Sequence, residues 1–435
     1  MDFILVDFKQ IRLRCIEITQ PANPIRMKKS FKTSVALGLG LTVVATGAFA
    51  LACPEKCTPK TTRAAVVASA VPSTDIECTA KAGFLMEANS GKILFAKDEH
   101  KRLPIASMVK ITTLAVIYDA IQSGQIAMDT KVMVSKEASS MGGSQAFLDF
   151  DSEYTVEDLI KSIIIASAND SCVAMAELIA GSESEFVNRM NALAQKLELE
   201  NTNYVNCTGL PAANSYSSAH DVARVYQYLM QSPFYGYKSG DTAINLTWMY
   251  DLTHPSGRVT GLTNTNRHAR FFNGCIGGKT GFTSEAGHCV TVASERGNIK
   301  PIAVIIGATD STARFAESGN MMSHVFASYE NKLIVDKTQS LGTIRVKGAT
   351  QDKIDVFAKQ SIYDLVKKGQ PDAITVNIEL DKTARAPFKR DHAVGKIIVT
   401  QDGNVTREID IVTNQDIKSM NYGDSVKKVT RNFKL

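Results

Sequence analysis

Pro104-Ile105-Ala106-Ser107-Met108-Val109-Lys110 opens a stretch whose apolar residues recur at helical spacing, through Val109, Thr113, Ala115, Val116, Tyr118 and Ile121. The spacing predicts a helix from Ser107 to about Gln122. On such a helix Ser107 and Lys110 share a face, with a rise of about 4.5 Å between them. A lysine in that place sets its amine beside the serine hydroxyl. If burial and neighbouring cations lower its pKa, it accepts the serine proton. Ser-x-x-Lys is common by chance, so its meaning depends on what the chain carries further along.

Two other short stretches follow in order. Ser167-Ala168-Asn169 comes after the apolar run Ile163-Ile164-Ile165-Ala166. Its hydroxyl suits a proton relay and its amide suits a substrate carbonyl or amide, although Ser and Asn also cap helices locally. Lys279-Thr280-Gly281 follows Gly277-Gly278 and precedes Phe282-Thr283. There a cation, a hydroxyl and a residue without a side chain line one strand edge. An extended peptide could lie along it, with its carboxylate meeting Lys279 and Thr280 and with Gly281 leaving room for close approach.

The flanking sequence supplies a setting for these stretches. Ala82–Glu87 and Ile93–Ala96 read as a hairpin about the turn Asn89-Ser90-Gly91-Lys92. Thr155 to Ala180 holds two helical stretches, and Phe186, Met190, Leu193 and Leu197 mark one face of another. Cys275–Phe282 and Gly287–Ser294 form a strand pair, Ile302–Gly307 a further strand and Ala313–Ala327 a further helix. Around 335–345 the character changes. Ile374, Val376, Ile378 and Leu380 alternate with polar residues, and Asp402-Gly403 is a hairpin turn between Ile397–Thr400 and Thr406–Val412. A catalytic domain over 81–335 and a small all-β domain over 341–415 are expected, with a tail at 416–435.

The N-terminal part reads differently. From Met27 the chain shows a basic start (Lys28, Lys29, Lys32), an apolar run from Val35 to Val44, and small-x-small exits at Ala48-Phe49-Ala50 and Ala50-Leu51-Ala52. This is the pattern of a secretory signal. Residues 1–52 are read as leader, with Met27 the better start, and 53–80 as a linker rich in Thr, Ala, Pro and Ser. The expected location is therefore extracytoplasmic, at the outer face of the membrane or secreted. With 435 residues, 44% of them apolar, there is enough chain for one large and one smaller core. A disordered, collagen-like or multi-span membrane chain is excluded. The formal charge of +5 comes largely from the leader, which holds seven basic and three acidic residues. The nearly neutral remainder gives no reason to expect a nucleic-acid partner. The eight cysteines lack paired C-x-x-C units, so no zinc site is expected. Cys275 and Cys289, on adjacent predicted strands, are a candidate disulfide, and Cys53 a candidate lipidation site.

Ser-x-x-Lys opening a helix, Ser-x-Asn after an apolar helix and Lys-Thr-Gly on a strand are the three motifs of the penicillin-binding and serine β-lactamase class, in order. The chain resembles the D-alanyl-D-alanine carboxypeptidases, the low-molecular-mass penicillin-binding proteins. The resemblance extends to Phe147-Leu148, Leu159-Ile160, Asn169-Asp170-Ser171-Cys172, Asn201-Thr202, Gly209-Leu210 and Tyr216 to Asp221, and covers roughly 82–415. It implies an α/β (α+β) β-lactamase/transpeptidase-like domain, an antiparallel sheet flanked by helices, followed by the C-terminal all-β domain. It also implies that Ser107 is the nucleophile, Lys110 its general base, and Ser167 and Lys279 a proton shuttle. Asn169 would hold the peptide, Thr280 and Arg314 the terminal carboxylate, and Gly281 the close approach. The N–H groups of Ser107 and Phe282 would form the oxyanion hole. No metal or organic cofactor is implied. The implied partners are a peptidoglycan stem peptide, β-lactams as covalent inhibitors, and a peripheral membrane surface. Asn414–Leu435, with scattered apolar residues among basic ones, does not read as the amphipathic helix with which family members usually end.

Three rivals remain open on sequence. A β-lactamase shares the scaffold, but Leu197-Glu198-Leu199-Glu200-Asn201 does not fit the E-x-x-L-N segment of the class A enzymes. A Ser-His-Asp hydrolase would need one of seven histidines, His220 or His288 for instance, and none lies in a G-x-S-x-G context. A non-catalytic wall-binding protein would not need the intact motifs.

Overall fold

The computed structural model describes residues 76–432 apart from 241, 370–373, 382 and 402–403. The proposed signal, most of the linker, Cys53 and the Asp402-Gly403 turn lie outside the described residues.

Five antiparallel strands form the central sheet: β1 (Ala82–Glu87), β2 (Ile93–Lys97), β3 (Cys275–Thr283), β4 (Gly287–Ser294) and β5 (Pro301–Ala308), in the order β2-β1-β5-β4-β3. Strand alternation sends side chains to two separate cores. Ala82, Phe84, Met86, Ile302, Val304 and Ile306 face a large helical cluster. Leu85, Ala303 and Ile305 face Met321, Met322 and Val325 of the C-terminal helix of this domain. Both faces are thus covered, which explains why β1 and most of β5 read as unbroken apolar runs.

The longer helices of this domain are α1 (Lys110–Gln122), α2 (Val156–Ile165), α3 (Asn169–Ala180), α4 (Glu183–Lys196), α5 (Ala219–Gln231) and α6 (Ser311–Ser328). Local chemistry sets their ends. Thr155 and Asp158 make a capping box at α2, Ser182, Ser218 and Asp310 cap α4, α5 and α6, and Gly181 ends α3 in the left-handed region. Eleven of the thirteen residues of α1 are buried, Lys110 included, so this helix runs through the middle of the helical core. Its predicted first turn is a separate 3-10 turn, Ala106–Val109.

The all-β part begins earlier than the change of sequence character indicated. Tyr329–Val335 is a strand that pairs with Ile362–Lys367. A six-stranded sheet follows, built from Ser340–Lys347, Lys353–Ala358, Ile374–Leu380, Thr383–Arg385, Ala393–Gln401 and Asn404–Thr413 around its own apolar core.

Two expectations are corrected. Cys275 and Cys289 are both free thiols. Strand register opposes Cys275 to Ser294 and Cys289 to Gly281; six residues along a strand separate the two thiols by about 20 Å, far beyond disulfide reach. The tail also contains a helix after all, α7 (Tyr422–Asn432). Its exposed Tyr422, Val426 and Val429 stand at i, i+4 and i+7 and so make one apolar face. Among the described residues no helix is long and apolar enough to cross a membrane.

Candidate active site

Ser107 lies in the 3-10 turn at the mouth of α1 and is half-buried, while Lys110, one turn on, is fully buried. Lys110 Nζ stands 3.1 Å from Ser107 Oγ, 2.7 Å from Asn169 Oδ1 and 2.5 Å from the Thr208 carbonyl oxygen. The valence count is informative. A neutral amine has two hydrogens and one lone pair. The two carbonyl oxygens accept both hydrogens, and the lone pair remains for the Ser107 hydroxyl. Burial favours the neutral form, since it pulls the Lys110 pKa below its ordinary 10.5 against the opposing influence of Cys172, Cys207 and Asp170.

The second pair is arranged alike. Lys279 on β3 donates to Ser167 Oγ at 2.8 Å and to the Thr280 carbonyl at 3.0 Å. It too is buried, and desolvation holds its pKa well below 10.5, with the Arg314 cation pushing the same way. Asn169 is fixed from both sides. Its Nδ2 donates to the Gly142 carbonyl and its backbone N–H to that of Ser144, each at 2.7 Å. Asp170 anchors the same loop by accepting from the N–H groups of Ala146 and Leu148.

Backbone conformation brings these groups to their distances. Ala106 has φ +47° and Ser167 φ +62°, left-handed values that cost a residue with a side chain about 1 kcal/mol each. Gly209 closes on the first of them. A Cβ there would stand 2.1 Å from the Ala106 oxygen. Gly281 brings β3 against the Ser107 backbone, with an imagined Cβ at 2.8 Å from the Ile105 oxygen and 3.1 Å from Ser107 N.

Ser107, Lys110, Ser167, Asn169, Lys279, Thr280 and Gly281, spread over 175 positions of sequence, therefore meet at one place in the fold. Arg314 and Phe282 stand at its margin. Arg314 is about nine-tenths buried and donates to the carbonyls of Gly281 and Cys289 at 3.1 and 3.2 Å. Phe282 is exposed and stacks on His288, its cross-strand partner, with ring centres 4.4 Å apart. Sequence reading missed Thr265, whose hydroxyl accepts from Thr280 Oγ1 at 2.7 Å, and the Thr208 carbonyl. Cys172, three residues after Asn169, is fully buried, and burial pushes its thiol up to about 12. Such a thiol is inert.

A Ser-x-x-Lys serine at a helix mouth, a Ser-x-Asn loop and a Lys-Thr-Gly edge strand facing it define the active-site-serine class to which penicillin-binding proteins and serine β-lactamases belong. Within that class, the sequence pattern of the D-alanyl-D-alanine carboxypeptidase peptidases matches residues 66–310, and that of the penicillin-binding protein 5 C-terminal domain matches 329–419. D-alanyl-D-alanine carboxypeptidase DacF of Bacillus subtilis is 37% identical over 80% of this chain and 88% of its own. DacD of Escherichia coli is 30% identical over 72% and 80%. Among solved structures, penicillin binding protein 5 from Haemophilus influenzae matches with 26% identity and a TM-score of 0.66, over 80% of this chain and all of that one. A peptidoglycan synthesis regulatory factor from Streptococcus pneumoniae shares the fold, with a TM-score of 0.68 over 79% of this chain and 100% of its own, at 24% identity. The chain belongs to the D-alanyl-D-alanine carboxypeptidase family.

Proposed function

We propose that the protein is a serine-type D-Ala-D-Ala carboxypeptidase that removes the terminal D-alanine from peptidoglycan stem pentapeptides. The observation that carries this reading is the fully buried Lys110 amine, 3.1 Å from Ser107 Oγ and held by the Asn169 and Thr208 oxygens. Lys110 takes the hydroxyl proton as Ser107 Oγ attacks the carbonyl between the two D-alanines. Negative charge on that carbonyl oxygen is met by the N–H groups of Ser107 and Phe282. Ser167, hydrogen-bonded to Lys279, passes its proton to the departing amine and takes in its place the proton held by Lys110, which becomes neutral again. Thr280, Thr265 and Arg314 hold the terminal carboxylate, and Asn169 holds the peptide on the acyl side. Water then takes the leaving group's place, the again neutral Lys110 accepts its proton and returns it to Ser107 Oγ as the ester bond breaks, and the shortened peptide departs. No step calls for a metal or an organic cofactor. A β-lactam offers an equivalent acyl group and leaves an ester that hydrolyses slowly.

The rivals lose ground on particular residues. Glu198 and Glu200 are exposed on the turn after α4, so neither supplies the deacylating carboxylate of a class A β-lactamase. His220 pairs with Asp221 and packs on Phe84 and His100, and His288 stacks on Phe282. The intact machinery disfavours a purely wall-binding role. Export through the segment after Met27 accords with an extracytoplasmic substrate, and the exposed apolar face of α7 accords with docking on a membrane surface. Incubation with benzylpenicillin should add one penicilloyl mass, mapped to the Ser107 peptide and stable for many minutes. Ser107→Ala should abolish both the adduct and D-alanine release; an adduct that survives this change would refute the assignment.

A further inference from the structure

Away from the reacting groups, a buried histidine belongs to a network that reaches back to them. Met249–Thr253 and Val259–Thr263 pair as a hairpin whose turn carries His254, Ser256 and Arg258. Leu252 and Leu262 sink the hairpin into the helical core, and the Tyr250 hydroxyl donates to Asp158 of α2. Its base is therefore fixed, and its turn is free to hold something else in place.

His254 is 2% exposed. Tyr154 Oη stands 2.6 Å from its Nδ1 and the Arg258 guanidinium 3.1 Å, while Nε2 is 2.7 Å from Thr260 Oγ1. A guanidinium only donates, and Tyr154 Oη already accepts from the Asp149 N–H, so Nδ1 is the acceptor and Nε2 carries the proton. Burial and the Arg258 cation favour this neutral ring against the opposing pull of Asp149 and Asp170.

The remaining contacts of the turn fall on one loop. Arg258 donates to the Phe147 carbonyl and, at 2.7 Å, to Asp149 Oδ1; Ser256 donates to Asp149 Oδ2 at 2.6 Å. Phe147 has φ +60°, a left-handed value that costs a residue with a side chain about 1 kcal/mol and persists only where contacts impose it. Those contacts come from both sides. Asp170 accepts from the N–H groups of Ala146 and Leu148, and Arg258 takes the carbonyl between them. The same loop presents the Gly142 and Ser144 carbonyls to Asn169, whose Oδ1 accepts from Lys110. The hairpin is thus joined to Lys110 through one loop and one amide.

We propose that His254 and Arg258 are positioning residues for acylation: the hairpin turn holds the 142–149 loop in its strained form, and the loop sets Asn169 and Lys110 at their distances from Ser107. This rests on the carboxypeptidase reading, which supplies the roles of Asn169 and Lys110. Without Arg258, Phe147 can leave the left-handed region and the Gly142 and Ser144 carbonyls move with it. A misplacement of about 1 Å at a reacting group costs about a hundredfold. Asp170 still pins the inner side of the loop, so the loss should be smaller.

The test reads the rate of Ser107 acylation by benzylpenicillin in the full chain, by intact mass, with thermal unfolding alongside. Arg258→Ala and His254→Ala should each slow acylation about 10- to 30-fold while the protein stays folded at the assay temperature. His254→Gln, whose amide can accept from Tyr154 and donate to Thr260, should recover to within about threefold of the wild type. A double-mutant cycle separates positioning from general weakening of the fold. In an Asn169→Ala background, adding Arg258→Ala should change the residual rate by less than about threefold, because the link it acts through is already cut. Should Arg258→Ala fail to fold, the cycle is run with Arg258→Lys, which cannot span Phe147, Asp149 and Thr260 as the guanidinium does; its loss of about threefold to tenfold should likewise vanish without Asn169. An equal loss in both backgrounds would overturn the proposal, as would Arg258→Ala acylating within twofold of the wild type, and either result leaves the carboxypeptidase reading intact. If the wild type forms no Ser107 adduct, that reading itself fails, and this proposal with it.

Discussion

Gly281→Ala is the sharpest perturbation available, because it adds one carbon at the interface between the nucleophile and β3. The new methyl would stand 2.8 Å from the Ile105 oxygen and 3.1 Å from both Ala106 Cβ and Ser107 N. A comfortable non-bonded contact is roughly 3.5 Å, so the strand must retreat by about 0.5 Å or more. The Ile105–Ser107 backbone cannot yield easily, since Gly209 packs directly on Ala106. Gly281 does not occupy the left-handed region, so alanine carries no backbone strain and the penalty is steric. The same retreat carries the Phe282 N–H away from the position the oxyanion must occupy. Complete loss of one oxyanion donor costs about 100- to 1,000-fold in rate. Weakening it by this displacement should cost about 10- to 100-fold, or ~1.4–2.7 kcal/mol of barrier. The assay is the rate of Ser107 acylation by benzylpenicillin, followed by intact mass, with thermal unfolding alongside to confirm the fold. A variant that folds normally and acylates within about twofold of the wild type would show that β3 does not supply the second donor.

Three other outcomes follow from the same contacts. Lys110→Arg should lower acylation by about a thousandfold, because guanidinium does not surrender its proton; in the wild type the rise of acylation rate with pH should lie below the ordinary lysine value of 10.5, since burial favours the neutral amine. Asp170→Asn should cost about 2–4 kcal/mol in denaturant unfolding and weaken acylation, as a buried carboxylate that accepts from Ala146 and Leu148 is replaced by a group that must also donate. Burial lowers the His268 pKa from 6.5 to about 4, so between those values the unfolded chain binds the extra proton. Stability should therefore fall with pH through that window, by about 2 kcal/mol between pH 7 and pH 5, and unfolding curves of His268→Gln should lack that component.

The motifs were legible because each names groups at a local spacing that secondary structure turns into a shared face. Ser107 and Lys110 meet across one turn, and Lys279 and Thr280 sit on one strand, whatever the rest of the chain does. The large elements were equally readable from period, as at α4, where Phe186, Met190 and Leu193 are all buried. What stayed hidden was of a different physical kind. The Thr208 oxygen that fixes Lys110 is a backbone atom, so no residue type announces it. Thr265 reaches Thr280 only through the packing of a loop, 15 residues earlier, against β3. The disulfide expectation failed because composition places two cysteines on adjacent strands, while register decides which pairs face each other. Ala106 and Ser167 are the most instructive cases, for neither residue type prefers the left-handed backbone each adopts. Their conformations are imposed by contacts made late in the chain: Gly209 against the Ala106 oxygen, Lys279 on the Ser167 hydroxyl. A motif thus specifies which groups meet, whereas imposed backbone geometry specifies at what distance. Since proton transfer from Ser107 to Lys110 works only within hydrogen-bond reach, reactivity depends on residues that no motif contains.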